Sequence, residues 1–340
     1  MRGSALSKTG ILLLTTLFAT VPLGCKRIIE EAIKARQRAS DSGTLAGQRA
    51  DDDQALLEKL NGYIRDCLNR YSKSVHGAEE RYFSWLVDPK KGPTGKERIV
   101  NGVYDISLDP EACKAAIARS NAAPPKKPDL EKLAEAYSAA LLAVVPVIND
   151  AHKYYERGDY KDDKMARGRQ LHAKLVGAFE TFDKADTDLS QLVDQVQEDL
   201  DRRELVRIEK EEGKKGHWHT LNTTLLAKPL LHEGAKDVTK INLVALTAAS
   251  DGFEKGVDAF EAWSNQSKSE GGSTTSYLRT AKDLVIAGKN LVRHIRDKKP
   301  YSATEKSWMG TSDGWKVEGS PDAVLDKYNK LIDAYNSVRF

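Results

Sequence analysis

The sequence predicts an all-α protein, an elongated antiparallel helical bundle with a small irregular or hairpin excursion near residues 88–110. Three observations predict it. From residue 54 onward, apolar side chains recur at steps of three and four, the period that lays a stripe along one face of a helix. A strand-like signal is confined to a short run at 99–104. The breaks between stripes carry proline, glycine, aspartate and asparagine, the residues that start and stop helices.

The chain opens with an export signal, residues 1–24. Arg2 and Lys8 form a positive start ahead of an apolar run at 11–18. That run is too short for a membrane span of about 20 residues and fits the apolar core of a secretory signal. It leads to Leu23-Gly24-Cys25, which resembles the lipobox of bacterial lipoproteins, with Pro22 standing where leucine is usual. In such signals the cysteine thiol receives a diacylglycerol and the cysteine becomes the first mature residue. Further acylation, palmitate being typical, adds about 0.8 kcal/mol per buried CH₂, and more than one chain is needed for stable anchoring. Cys25 is therefore the expected lipidation site, and the membrane is an expected partner. Lys26, in place of aspartate, resembles an outer-membrane sorting signal. The expected location is the bacterial envelope, lipid-anchored at the outer membrane and facing the periplasm. No segment after the signal is expected to span a membrane.

Residues 25–53 form the lipidated cysteine and a flexible tether, with a short amphipathic helix at 27–37 through Ile28, Ile29, Ala32 and Ile33. Residues 54–340 form the helical domain, with a sub-boundary at 122–128. Its first stripe runs Leu57, Leu60, Ile64, Cys67, Tyr71, Val75, which puts Cys67 on a buried helix face. A second stretch at 78–86 carries Tyr82, Phe83 and Trp85. The excursion follows. Asn101-Gly102 between β-branched residues suits a type I′ turn, so the segment is a small hairpin or an ordered loop. Helix returns at 111–120 with Cys113.

Setting Cys25 aside leaves two cysteines. Exported chains sit in an oxidising compartment, which favours a Cys67–Cys113 disulfide over two buried thiols. Closing that loop contributes about 4 kcal/mol in the chain-entropy model. The absence of Cys-x-x-Cys spacing argues against a redox-active pair.

After the proline-rich break, Pro128 with Asp129 and Glu131 reads as a helix start. The stripe Leu130, Ala134, Tyr137, Leu141, Val144, Ile148, Ala151, Tyr155 has coiled-coil-like spacing, with a kink expected at Pro146. Gly158 and Asp159 read as a C-cap followed by an N-cap. The next stripe runs Leu171, Leu175, Ala178, Phe182, Ala185, Leu189, Leu192, Val196 and continues toward Ile208, ending at the glycine-lysine stretch 213–216. Later stripes lie at 243–260, 277–295 and 325–335, the last begun by Ser320-Pro321-Asp322.

Candidate chemistry is sparse. Lysine and arginine number 53 against 50 acidic residues, intermixed along the chain, which argues against a nucleic-acid partner. Gly310 to Gly314 matches G-x-S-x-G around Ser312, but a nucleophile elbow needs a preceding strand, and here a surface loop anchored by Trp308 and Trp315 is expected. His217 and His219 are the candidate metal ligands, for zinc, copper or haem iron with a third ligand such as the nearby His232-Glu233. Imidazoles two apart share a face in an extended chain and not in a helix. His76, His152, His172 and His294 read as satisfied surface or boundary residues. The acidic runs at 51–53, 162–163 and 211–212 read as helix starts or solvated faces, and Lys90, Lys91, Lys96 and Arg98 as a solvated loop. No cofactor and no enzymatic activity are expected.

The runs LNGYIRDCLNRYSKSVHGAEERYFSWL, GPTGKE and YYERGDYKDDKMARGRQLH, with the closing KYNKLIDAYN, resemble the YiiG-like family of bacterial envelope lipoproteins, a family of unknown function. The resemblance covers most of the chain after the tether. It implies an all-helical periplasmic domain behind a lipid anchor and supplies no catalytic residues. The expected function is that of a non-enzymatic binding or scaffold domain, presented to another envelope protein or to the cell-wall layer. A periplasmic small-ligand or metal-binding protein is the alternative.

Overall fold

The computed structural model describes residues 45–267, 274–311 and 313–339. The signal, Cys25, the tether up to residue 44 and Ser312 lie outside the described residues. Among those described, every regular element is helical, as the stripes predict. Besides three short 3₁₀ turns (Asp159–Lys161, Val238–Lys240 and Gly314–Lys316), these are in chain order α1 (Leu45–Tyr63), a π turn (Ile64–Leu68), α2 (Asn69–Ser84), α3 (Pro110–Ala122), α4 (Pro128–Arg157), α5 (Ala166–Glu212), α6 (Gly216–Gly234), α7 (Leu243–Gln266), α8 (Thr275–Arg296), α9 (Ala303–Trp308) and α10 (Pro321–Ser337). The end of the expected tether, residues 45–53, is thus already helical.

These residues form two compact units, with the divisions at Leu57/Glu58 and Asp194/Gln195. The divisions fall within α1 and α5, and the proline-rich 122–128 is internal to the first unit.

In the first unit the opening stripe is buried as its spacing requires, through Leu60, Ile64, Cys67, Tyr71 and Val75, and Tyr63, Ala78 and Tyr82 are buried with it. Cys67, in the π turn, is bonded to Cys113 of α3, 46 residues on. α4 runs through Pro146 to Gly158, whose φ of +76° gives the left-handed C-cap the sequence predicts. By length and apolarity α4 could cross a membrane, contrary to the reading that no such segment follows the signal. The same apolar side chains supply core here, with Leu130, Ala134, Tyr137, Leu141, Val144, Ile148 and Ala151 all buried. Asp159 opens a short 3₁₀ turn and does not cap α5. Asp163 takes that place, accepting from the Arg167 amide at 2.9 Å.

Among residues 85–109 no strand forms, so the excursion is irregular. Gly102 has φ +67° and Asn101 is not left-handed, whereas a type I′ turn needs both central residues there. Side chains replace the strand ladder. Asn149 of α4 donates to the Ile106 carbonyl at 3.0 Å and accepts from its amide at 2.8 Å. The indole of Trp85 donates to Gly102 O, Arg81 to Asn101 O and Tyr71 to Asp109 O. These contacts satisfy backbone groups that a hairpin partner would otherwise take. The proline-rich connection is held in a similar way by Lys59, whose side chain is fully buried. Its ammonium donates to the Ala123 and Pro125 carbonyls at 3.1 and 3.2 Å and pairs with Glu131.

The second unit packs α6, α7, α8 and α10 around Leu221, Leu225, Leu230, Leu246, Phe253, Val257, Phe260, Tyr277, Leu284, Leu291, Val324 and Leu331. Ser320 caps α10 through the Ala323 amide at 3.1 Å, with Pro321 in the first turn. The loop before it is held by buried Gly314 and Val317 and by Asp322 accepting from the Gly310 amide at 2.9 Å. Trp308 and Trp315 do not anchor it; they are 37% and 48% exposed.

Candidate functional site

The sequence candidates separate in space. His217 and His219 lie in the first turns of α6. Two positions apart on a helix, their side chains diverge by roughly 200°. His219 is an aromatic core residue. Its ring stacks on Phe260 at 5.4 Å and 11° and tilts against Trp263 at 5.5 Å. Burial, with the nearby Lys214 charge, lowers its pKa. His217 faces the other way, 3.3 Å from the Glu212 carboxylate. His232 is exposed, and Glu233 is engaged elsewhere, by the Asn242 amide and Lys236.

Three of the remaining histidines are structural. His152 meets the Val103 carbonyl at 2.8 Å and Glu156 at 3.2 Å. His172 bonds Tyr82 at 3.0 Å. His294 stacks on Tyr301 at 3.9 Å.

His76 is the exception. It lies on α2 one turn before Glu79, and α5 brings up Asp183 and Asp186, also one turn apart. An i, i+3 pair shares a helix face, so the two pairs confront each other inside the first unit. Asp186 is fully buried. It accepts from the Ser72 hydroxyl at 2.7 Å through Oδ1 and faces His76 Nε2 at 2.8 Å through Oδ2. Ser72 Oγ in turn lies 3.1 Å from the Tyr137 hydroxyl. On the other side of the ring, His76 Nδ1 lies 3.7 Å from Glu79 Oε2 and 3.6 Å from Asp183 Oδ1. One ligand-type atom from each of His76, Glu79 and Asp183 falls within 4.8 Å of the other two.

The electrostatics are lopsided. Three carboxylates surround one imidazole. Burial opposes charge on His76, but Asp186, Glu79 and Asp183 outweigh it and raise its pKa to about 10. Burial, followed by the neighbouring Glu79 charge, pushes the Asp183 carboxyl up to about 7. The cluster therefore carries more negative charge than its imidazolium cancels. The side chains of His76 and Asp183 remain 23% and 31% exposed, whereas that of Glu79 is only 8% exposed.

The sequence reading passed over this cluster because it treated the histidines singly. The spacing H-x-x-E at 76–79 and D-x-x-D at 183–186 was the available signal.

Comparison with known proteins agrees with the resemblance read from the sequence. The family described as "Protein of unknown function (DUF3829)" matches residues 54–337. "Uncharacterized protein YiiG" of Escherichia coli (strain K12) is 33% identical over 293 residues, covering 85% of this chain and 81% of that protein. No solved structure matches.

Proposed function

This chain belongs to the DUF3829 family of proteins of unknown function, and from that premise we propose that it is a lipid-anchored lipoprotein of the bacterial envelope. In this reading its helical domain faces the periplasm at the outer membrane, binds a partner and catalyses no reaction. The observation that carries the reading is the Cys67–Cys113 disulfide. Structural disulfides belong to oxidising compartments, and the third cysteine, Cys25, stands at the end of a signal-like segment. Three features of the chain thus point to one address: a basic start with an apolar run, a lipobox-like cysteine, and a bonded pair in the domain behind it.

Binding rather than catalysis is supported by the engagement of His152, His172, His219 and His294 in packing and backbone contacts. The partner is an envelope protein or the cell-wall layer. The exposed Trp308 and Trp315, flanked by Lys316 and Lys330 at 5.4–5.9 Å from the rings, are of the residue type enriched where proteins meet partners.

In-cell crosslinking tests the proposal. The wild type is compared with Cys25→Ala carried by a non-lipid export signal. An envelope component captured by the wild type and lost from the variant is the expected result. Capture of nothing by either form contradicts the partner-binding reading.

A further inference from the structure

We propose that His76, Glu79 and Asp183 bind one divalent transition-metal ion of the zinc class, with Asp186 orienting the imidazole. The inference stands on the geometry of the first unit and does not need the lipid anchor.

The first argument is spacing. Separations of 3.6 and 3.7 Å from His76 Nδ1 to the two carboxylate oxygens are too long for good hydrogen bonds, which lie at about 2.7–3.2 Å. They are close to the ligand-to-ligand distance around a tetrahedral ion, roughly 3.4 Å for bonds of about 2.1 Å. Small side-chain shifts suffice to close the set on an ion.

The second argument is unmet demand. Glu79 is 6% exposed, and its Oε2 meets His76 Nδ1 only at 3.7 Å. Asp183 Oδ1 is buried and has no hydrogen-bond partner. A carboxylate oxygen withdrawn from water without a donor, as Asp183 Oδ1 is, is costly. Both point at His76 Nδ1, where one cation would satisfy them together.

The third argument is the support behind the ring. Metal-bound histidines characteristically give their second ring nitrogen to a carboxylate, which fixes ring and tautomer. Asp186 stands there at 2.8 Å, itself held by Ser72 at 2.7 Å. The ion displaces the Nδ1 proton of the imidazolium to solvent; with the other proton kept on Nε2 against Asp186, Nδ1 gives its lone pair to an ion held between it and the Glu79 and Asp183 oxygens. The partial exposure of His76 and Asp183 leaves one side open, for entry and for a water as fourth ligand.

One imidazole with two carboxylates is a borderline donor set. The imidazole disfavours calcium and magnesium, and the lack of thiolate disfavours the softest ions, leaving Zn²⁺ and its neighbours.

The test uses full-length protein purified without a polyhistidine tag, stripped with chelator and titrated with ZnCl₂. Bound zinc is measured by equilibrium dialysis and elemental analysis, with thermal melts in parallel. The expected result is one equivalent per chain and a higher melting temperature with zinc. Asp183→Asn and Glu79→Gln each lower affinity by on the order of 100-fold, since a ligand is lost outright where even supporting residues cost 10–100-fold. Without zinc, Asp183→Asn melts at or above the wild type, because one mutually repelling carboxylate is gone, so its failure to bind is not misfolding. Glu79→Gln gives the same reading should Asp183→Asn fail to fold. The proposal is overturned by a wild type that takes up no zinc. It is equally overturned if both variants bind as the wild type does, or if zinc is lost only with His217→Ala.

Discussion

Asp186 is a carboxylate in a position built for an apolar side chain. The buried face of α5 runs Leu171, Leu175, Phe179, Phe182, Asp186, Leu189, Val193. The sequence stripe instead passed through Ala178, Ala185 and Leu192, each one residue early, and at Ala185 it did so because a search for apolar residues steps around an aspartate. That displacement hid the cluster. Lys59 hid for the same reason: a lysine inside an apolar stripe reads as an interruption, whereas its ammonium ties the connection at 122–128 to α1. Lys59→Ala leaves Glu131 and two carbonyls without their cation and is expected to cost about 3 kcal/mol, measured by urea unfolding. Gly102 answers to sterics instead. Its φ is +67°, and a Cβ there would lie 2.8 Å from Tyr155 Cβ. Gly102→Ala is expected to destabilise by at least about 1 kcal/mol; an unchanged urea midpoint would show that the loop does not hold this conformation.

At the scale of elements, the stripes were legible where a helix has one wet face. α4 and α10 begin and end where caps and stripes place them. α6 was not read as a helix. It is buried over much of its circumference, through His217, Thr220, Leu221, Thr224, Leu225, Ala227 and Leu230, so it shows no two-sided pattern. Its threonines lie inside because Thr220 and Thr224 return their hydroxyls to the carbonyls four residues back, at 2.7 and 2.9 Å. The excursion was legible as a break but not in form, since side chains from α2 and α4, distant in sequence, satisfy its backbone. Two predictions belong here. Reducing the Cys67–Cys113 bond is expected to cost about 4 kcal/mol, read as a lower urea midpoint in reductant; an unmoved midpoint would deny the bond a stabilising role. Glu233 of α6 accepts from the Asn242 amide at 2.5 Å and from Lys236 at 2.5 Å. Burial opposes its ionisation, but these donors prevail and hold the carboxyl below its usual range. Its contribution is therefore full above the unfolded-state value, about 4.3, and is lost as pH falls through the lower folded value. The stability gap between wild type and Glu233→Gln should be constant near neutrality and shrink below about pH 4. A gap independent of pH down to full acid unfolding would contradict this.

At the scale of the whole molecule, the fold class and the family were legible and the division of the chain was not. Helical stripes report local period, whereas the division at Asp194/Gln195 falls inside the uninterrupted helix α5, where no change of composition marks it. The functional reading joins parts of the chain that never meet in the helical period: a signal-like start, one cysteine at its end, and two more bonded in the domain behind. The central claim is that Cys25 carries the anchor. The most direct measurement is the mass of the mature protein recovered from the membrane fraction, intact and after proteolysis. The account predicts a chain that lacks residues 1–24 and bears diacylglyceryl and further acyl groups on Cys25. A chain that keeps the first 24 residues, or begins elsewhere with a free thiol at Cys25, contradicts it.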